Sequence, residues 1–162
     1  MNSTASFPLT RLRRPRSSPW SRELHRETRL HPAQFIWPLF ITSGQGVEEP
    51  IASLPRVSRW SIDGIVARAK EAHSLGIACV ALFPNTPFDR RSPDGREALN
   101  PDNLICQAIR AIKDKVPEIG VITDVALDPY TSHGQDGLID EQGLVMNDET
   151  NKILVEQALN QA

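Results

Sequence analysis

The order of elements legible in this chain is β, α, β, α, β, which assigns it to the α/β class. Two observations carry that assignment. Short apolar runs of strand length alternate with stretches whose apolar residues recur at helical spacing, and the run Ile77–Phe83 is uninterrupted, as in a strand buried on both faces. Strands alternating with helices imply a parallel sheet with right-handed crossovers, either doubly wound or closed into a barrel. Periodicity does not choose between them.

Residues 1–30 come first. Pro8, Pro15 and Pro19 stand among serines and Arg11, Arg13, Arg14, Arg16, Arg22, Arg26 and Arg29, opposed only by Glu23 and Glu27. Such a segment buries little surface by itself and reads as an arm that lies on a partner. Residues 31–162 form the body. Phe35–Ile41 is the first strand, ended by the turn cluster Ser43-Gly44-Gln45-Gly46, although Pro38 argues against a central position.

Ser61 caps a helix over 61–75, with Ile62, Ile65, Val66, Ala69, Ala72 and His73 on its inner face and Gly76 as its stop. After Ile77–Phe83 a polar loop runs from Pro84 to Leu99. Asn100 is the expected cap of the next helix, with Pro101 at its first position and Leu104, Ile105, Ala108, Ile109 and Ile112 facing inward. Val121–Leu127 reads as the third strand and 138–146 as a hairpin around Glu141-Gln142-Gly143. Asn147 is the expected cap of a last helix, whose dipole Asp148 and Glu149 favour.

Composition narrows the function. A net charge of −2 over 162 residues gives no global basic footprint for nucleic acid or membrane, and no apolar run is long enough to span a bilayer. These features predict a soluble cytoplasmic protein. The acid-free, Ser/Arg-rich opening Met1–Ser21 resembles a transit peptide and makes a plastid the alternative. Cys79 and Cys106 lie in apolar stretches without metal or redox spacing and read as buried thiols.

One segment departs from what folding alone asks for: Asp124-Val125-Ala126-Leu127-Asp128-Pro129-Tyr130-Thr131-Ser132-His133-Gly134-Gln135-Asp136-Gly137. Strand alternation puts Asp124, Ala126 and Asp128 on one face near the strand's carboxyl end, where parallel α/β proteins bind ligands. Ser132, His133 and Asp136 add oxygen and imidazole donors that suit a hard cation, an ordered water or an amine. Magnesium fits these donors better than zinc, since no cysteine is near. The plainer reading makes Asp124 and Asp128 caps of backbone amides and His133-Gly134 a turn.

The same segment resembles the active-site segment of porphobilinogen synthases (5-aminolevulinate dehydratases). The likeness continues in register through Arg29-Leu30, Trp37–Ile41, Ala81–Pro84, Asn100–Asp102, Val121–Thr123 and Asn147–Thr150. The resemblance implies a (β/α)8 TIM barrel, here its first half, with an amino-terminal arm that contacts a neighbouring subunit, commonly in a homo-octamer. It implies condensation of two 5-aminolevulinate molecules to porphobilinogen, with loss of two waters, through Schiff bases on two lysines.

By that resemblance Asp124 sits beside the substrate amine. Zinc-using members carry cysteines at the positions of Ala126, Asp128 and Asp136, so this chain resembles the branch without catalytic zinc, with magnesium or a monovalent cation near Asp128 and Asp136. Gln135 stands where a histidine is usual. A barrel of this kind takes about 250 residues, and the Schiff-base lysines lie beyond the equivalent of Ala162. Lys70, Lys113, Lys115 and Lys152 are expected on helices as surface charges, so these 162 residues alone are expected to form no imine. The alternatives are another metal-assisted lyase that uses Asp124, Asp128, His133 and Asp136 as ligands, or a non-catalytic chain that associates with full-length subunits.

Overall fold

A computed structural model describes residues 6–8, 10–11 and 13–162; the start of the expected arm and of its transit-like opening lies outside them. The chain divides into two compact units, Met1–His31 and Pro32–Ala162. In the first, a 3-10 turn at Arg14–Arg16 precedes the short helix α1, Pro19–Leu24, which the sequence reading missed. Ser21 Oγ donates to the Pro15 carbonyl at 2.8 Å, and Glu23 pairs with both Arg26 and Arg29.

The second unit is built on five strands: β1 Ile36–Ile41, β2 Glu48–Pro50, β3 Ser58–Trp60, β4 Cys79–Pro84 and β5 Gly120–Thr123. Their order is β2-β3-β1-β4-β5, with β3, β1, β4 and β5 parallel and β2 antiparallel to β3. Helices α2 (Ile62–Ser74) and α3 (Leu104–Lys115) are the crossovers, and α4 (Asn147–Gln161) follows the hairpin region. The α/β class and parallel sheet are those expected. β2 and β3 were not anticipated, being three residues each and rich in charge.

Pro38 is tolerated inside β1 for a geometric reason. The Thr42 N–H donates to the Trp60 carbonyl, so even-numbered nitrogens of this strand face β3. β3 first pairs with β1 at Phe40, so the nitrogen of Pro38 points to a stretch with no ladder partner on that side.

Leu39, Ile41, Val80 and Leu82 face the helices and interlock with Ile65, Ala69 and Ala72 of α2 and with Ile105, Ala108 and Ile112 of α3. Each large aliphatic side chain buried there contributes about 1.5–3 kcal/mol. β4 is nevertheless buried on one face only: Phe83 is 36% exposed, beside Ile36 at 53% and Ile122 at 46% on the same side of the sheet. Within these residues the expected burial of β4 is met on the helix-facing side, and the other side is open.

Element boundaries also move. Asn103, not Asn100, caps α3, accepting from the Cys106 N–H at 2.9 Å; the Asn100 side chain closes a turn onto the Asp102 N–H. Asn103 wins because it is buried and its amide also donates to the carbonyls of Glu97 and Ala98. Asn147 is the first residue of α4 rather than its cap, and His73 is exposed. The third strand ends at Thr123, four residues before the expected Leu127.

Candidate active site

Beyond Thr123 the chain leaves the sheet, yet Asp124, Ala126 and Asp128 still line one cleft, of about 210 Å³. α4 substitutes for a ladder neighbour here. Gln157 Nε2 donates to the Ala126 carbonyl at 3.0 Å and Gln161 Nε2 to the Asp124 carbonyl at 3.3 Å, one helical turn apart. Gln157 is completely buried and Ala126 half-buried, so this contact is partly shielded from competing water. Leu127 turns the other way, into a small core with Ala98, Tyr130, Ile153 and Leu154 that supports the segment from below.

The cleft lies at the carboxyl ends of the parallel strands. Register places Arg59, Phe40 and Phe83 in one row across β3, β1 and β4, and all three line it, together with Asn85, Pro129 and Tyr130. The sequence points to neither Arg59 nor Asn85, since strand order and the loop after β4 decide that they reach this cleft, and Tyr130 lies in the distinctive Asp124–Gly137 segment without a role of its own. Arg59 also pairs with Glu49 at 3.0 Å.

The carboxylates interact. Burial pushes the Asp128 carboxyl above its usual range, and Asp136, within hydrogen-bonding reach, raises it further, with a smaller contribution from Asp124. Asp128 and Asp136 thus form a close pair, with Asp124 near enough to be felt. Among the described residues no group of three or more His, Cys, Asp or Glu side chains is arranged to hold a metal. The available donors are carboxylate oxygens, which fit a hard cation that keeps several waters and do not fit the nitrogen and sulfur shell of zinc.

The remaining predicted residues are placed otherwise. Ser132 is exposed and outside the cleft lining; its N–H donates to the Ser92 carbonyl. His133 lies on a turn with both ring nitrogens against backbone groups, Nε2 at 3.1 Å from the Pro93 carbonyl and Nδ1 accepting from the Gln135 N–H at 3.2 Å. Lys70 is on α2, Lys113 and Lys115 on α3 and Lys152 on α4, and none lines the cleft. Lys113 donates to the carbonyl of Ile119, just before β5 begins, which puts it at the opposite end of the sheet. Cys106 is buried and Cys79 half-buried; burial raises both thiols.

Comparison with known proteins agrees with this architecture. A family model described as delta-aminolevulinic acid dehydratase matches residues 9–162. The delta-aminolevulinic acid dehydratase of Bradyrhizobium diazoefficiens is 53% identical over 152 residues, 94% of this chain and 43% of that protein. The chloroplastic enzyme of Glycine max is 44% identical over 160 residues, 97% of this chain and 38% of its own length. A crystal structure of porphobilinogen synthase from Toxoplasma gondii, in complex with the reaction product porphobilinogen, superposes with a TM-score of 0.89 at 38% identity, covering 94% of this chain and 43% of that one. The chain therefore spans about two fifths of the length of these relatives. With its parallel sheet, its carboxylate cleft at the strand ends and a family match over nearly every residue, the chain belongs to the delta-aminolevulinic acid dehydratase family.

Proposed function

We propose that the protein carrying this chain condenses two molecules of 5-aminolevulinate to porphobilinogen with loss of two waters, a lyase reaction of tetrapyrrole synthesis. The observation that supports the reading most is that Asp124 and Asp128 line the carboxyl-end cleft of a chain of this family, with Asp136 paired to Asp128 just outside the cleft lining.

In this reading Asp124, exposed at the cleft, accepts hydrogen bonds from the substrate ammonium and takes its proton. Asp128 and Asp136 hold a magnesium ion, two carboxylates sufficing because magnesium retains most of its water; a monovalent cation is the alternative occupant. When bound, the ion relieves the repulsion between the paired carboxylates and supplies positive charge near the substrate. The Schiff-base lysines are contributed by sequence other than these residues. Residues 1–30 are an arm for contact with a second subunit in a homo-oligomer, an octamer in this family, and residues 31–162 are the first half of the barrel. The reaction is placed in the cytoplasm, with a plastid as the alternative that the chloroplastic relatives keep open.

The test is to incubate the complete protein with 5-aminolevulinate and magnesium and to measure porphobilinogen. Product is expected with magnesium and is lost on chelation. Absence of product from well-folded, magnesium-loaded protein would remove the proposal.

A further inference from the structure

The sequence presents His133 as a candidate ligand or proton carrier, but its surroundings point to a different task. Its Nδ1 accepts from the Gln135 N–H at 3.2 Å, and its Nε2 lies 3.1 Å from the Pro93 carbonyl, which can only accept. These backbone partners fix the tautomer with the proton on Nε2. Both nitrogens are then occupied, and neither can ligate a metal or exchange a proton with substrate without breaking a bond to the backbone.

Those two bonds brace the segment that carries Asp136. The Gln135 carbonyl accepts from Thr131 Oγ1 at 2.9 Å, and Thr131 is completely buried, so the peptide groups on either side of Gln135 are both pinned. Gly134, at φ +74°, supplies the left-handed turn that makes this possible. Gly137 then packs so closely on Thr150 and Val145 that a Cβ there would lie 2.9 Å from each. Asp136 stands between the two fixed points. The bond to Pro93 also ties this loop to the one following β4, where Ser92 already bridges to Thr131.

We propose that His133 is a positioning residue, holding the Gln135–Gly137 backbone so that the Asp136 carboxylate stays against Asp128, and that it does so through the Nδ1 bond more than through the Nε2 bond. The proposal rests on the dehydratase reading for its kinetic consequence and on local geometry alone for the rest.

Three variants of the complete protein separate the two bonds. His133→Ala removes both. His133→Asn places Oδ1 where Nδ1 accepted from the Gln135 N–H but does not reach Pro93, and His133→Gln keeps a donor toward Pro93 but loses the short acceptor. Loss of a residue that orients a ligand lowers metal affinity or activity by about 10–100-fold. His133→Ala is therefore expected to lower kcat and raise the magnesium concentration for half-activation by about that range, with the KM for 5-aminolevulinate changed by less than about threefold. His133→Asn should recover most of the loss and His133→Gln little of it.

Two readouts need no turnover. Nitrogen-15 imidazole spectra should show Nδ1 unprotonated and Nε2 protonated, and exchange of the Gln135 amide hydrogen should accelerate about tenfold or more in His133→Ala but not in His133→Asn. A wild-type protein that makes no porphobilinogen sinks the dehydratase reading while these two measurements still decide on His133. Wild-type kinetics in His133→Ala, equal rescue by Asn and Gln, or a proton on Nδ1 would each overturn the proposal.

Discussion

Replacing Gly137 by alanine tests whether the site segment is held by close packing. Its Cβ would come 2.9 Å from Thr150 Oγ1, 2.9 Å from Val145 Cγ1 and 3.0 Å from Thr150 Cγ2, where ordinary contact begins near 3.4 Å. Both neighbours are β-branched and stiff at χ1, so neither swings aside cheaply. Thr150 is also fixed because its Oγ1 accepts from the Leu138 N–H at 3.0 Å. Overpacking of this kind costs about 1–3 kcal/mol, and most of it should come from displacement of the Asp136–Leu138 backbone.

Urea unfolding at equilibrium measures the loss. The double variant with Thr150→Ala identifies its source, since that change deletes two of the three clashing atoms at the expense of one hydrogen bond. The two changes should couple by at least about 0.5 kcal/mol, the double variant being more stable than the sum of the singles predicts. A Gly137→Ala protein within about 0.3 kcal/mol of wild type, or strictly additive losses, would refute the packing argument.

Other consequences follow from the same geometry. Because Asp128 is raised above its usual 3.8 in the folded protein, its contribution to stability is present below that value and lost as pH rises through the folded-state pKa. With metal removed by chelation, Asp128→Asn should therefore melt higher than wild type at neutral pH and converge with it in acid; a lower melting point at neutral pH contradicts this. Gln157→Ala removes the partner of the half-buried Ala126 carbonyl and should cost about 1 kcal/mol in urea unfolding, with a loss of activity. Asn103→Ala should destabilise by about 0.5–2 kcal/mol through its cap, whereas Asn100→Ala should cost clearly less; the reverse ranking in a thermal melt would reinstate Asn100 as the cap.

The sequence was most informative where one periodicity dominated. α2, α3, β1 and β4 announce themselves by apolar residues at helical spacing or in strand-length runs, and the structure keeps each within a few residues. β2 and β3 could not be read, because Glu48–Pro50 and Ser58–Trp60 are too short and polar for any period to appear. The end of the third strand was misplaced because Val125 and Leu127 prolong the apolar alternation, while pairing with β4 stops at Leu82 and Thr123.

The alignment of Asp124, Ala126 and Asp128 was nevertheless anticipated, for a reason only partly right. They do share one cleft, but past Thr123 the backbone is no longer a strand and bends into a turn at Leu127–Tyr130, and Gln157 and Gln161 hold its first part in place. Two glutamines one turn apart on a helix were a visible signal, although nothing local revealed that they face inward. Arg59 and Tyr130 entered the cleft through strand order and loop packing, which no spacing encodes.

The most direct test of the account is the magnesium dependence of porphobilinogen formation by the complete protein and by its Asp128→Asn, Asp136→Asn double variant. If the two carboxylates hold the ion, the double variant should need more magnesium for half-activation than the increase of about 10–100-fold expected on loss of a positioning residue alone, or lose its response to magnesium altogether. An activation curve superposable on that of the wild type would contradict the assignment of the ion to this pair and, with it, the central reading of the cleft.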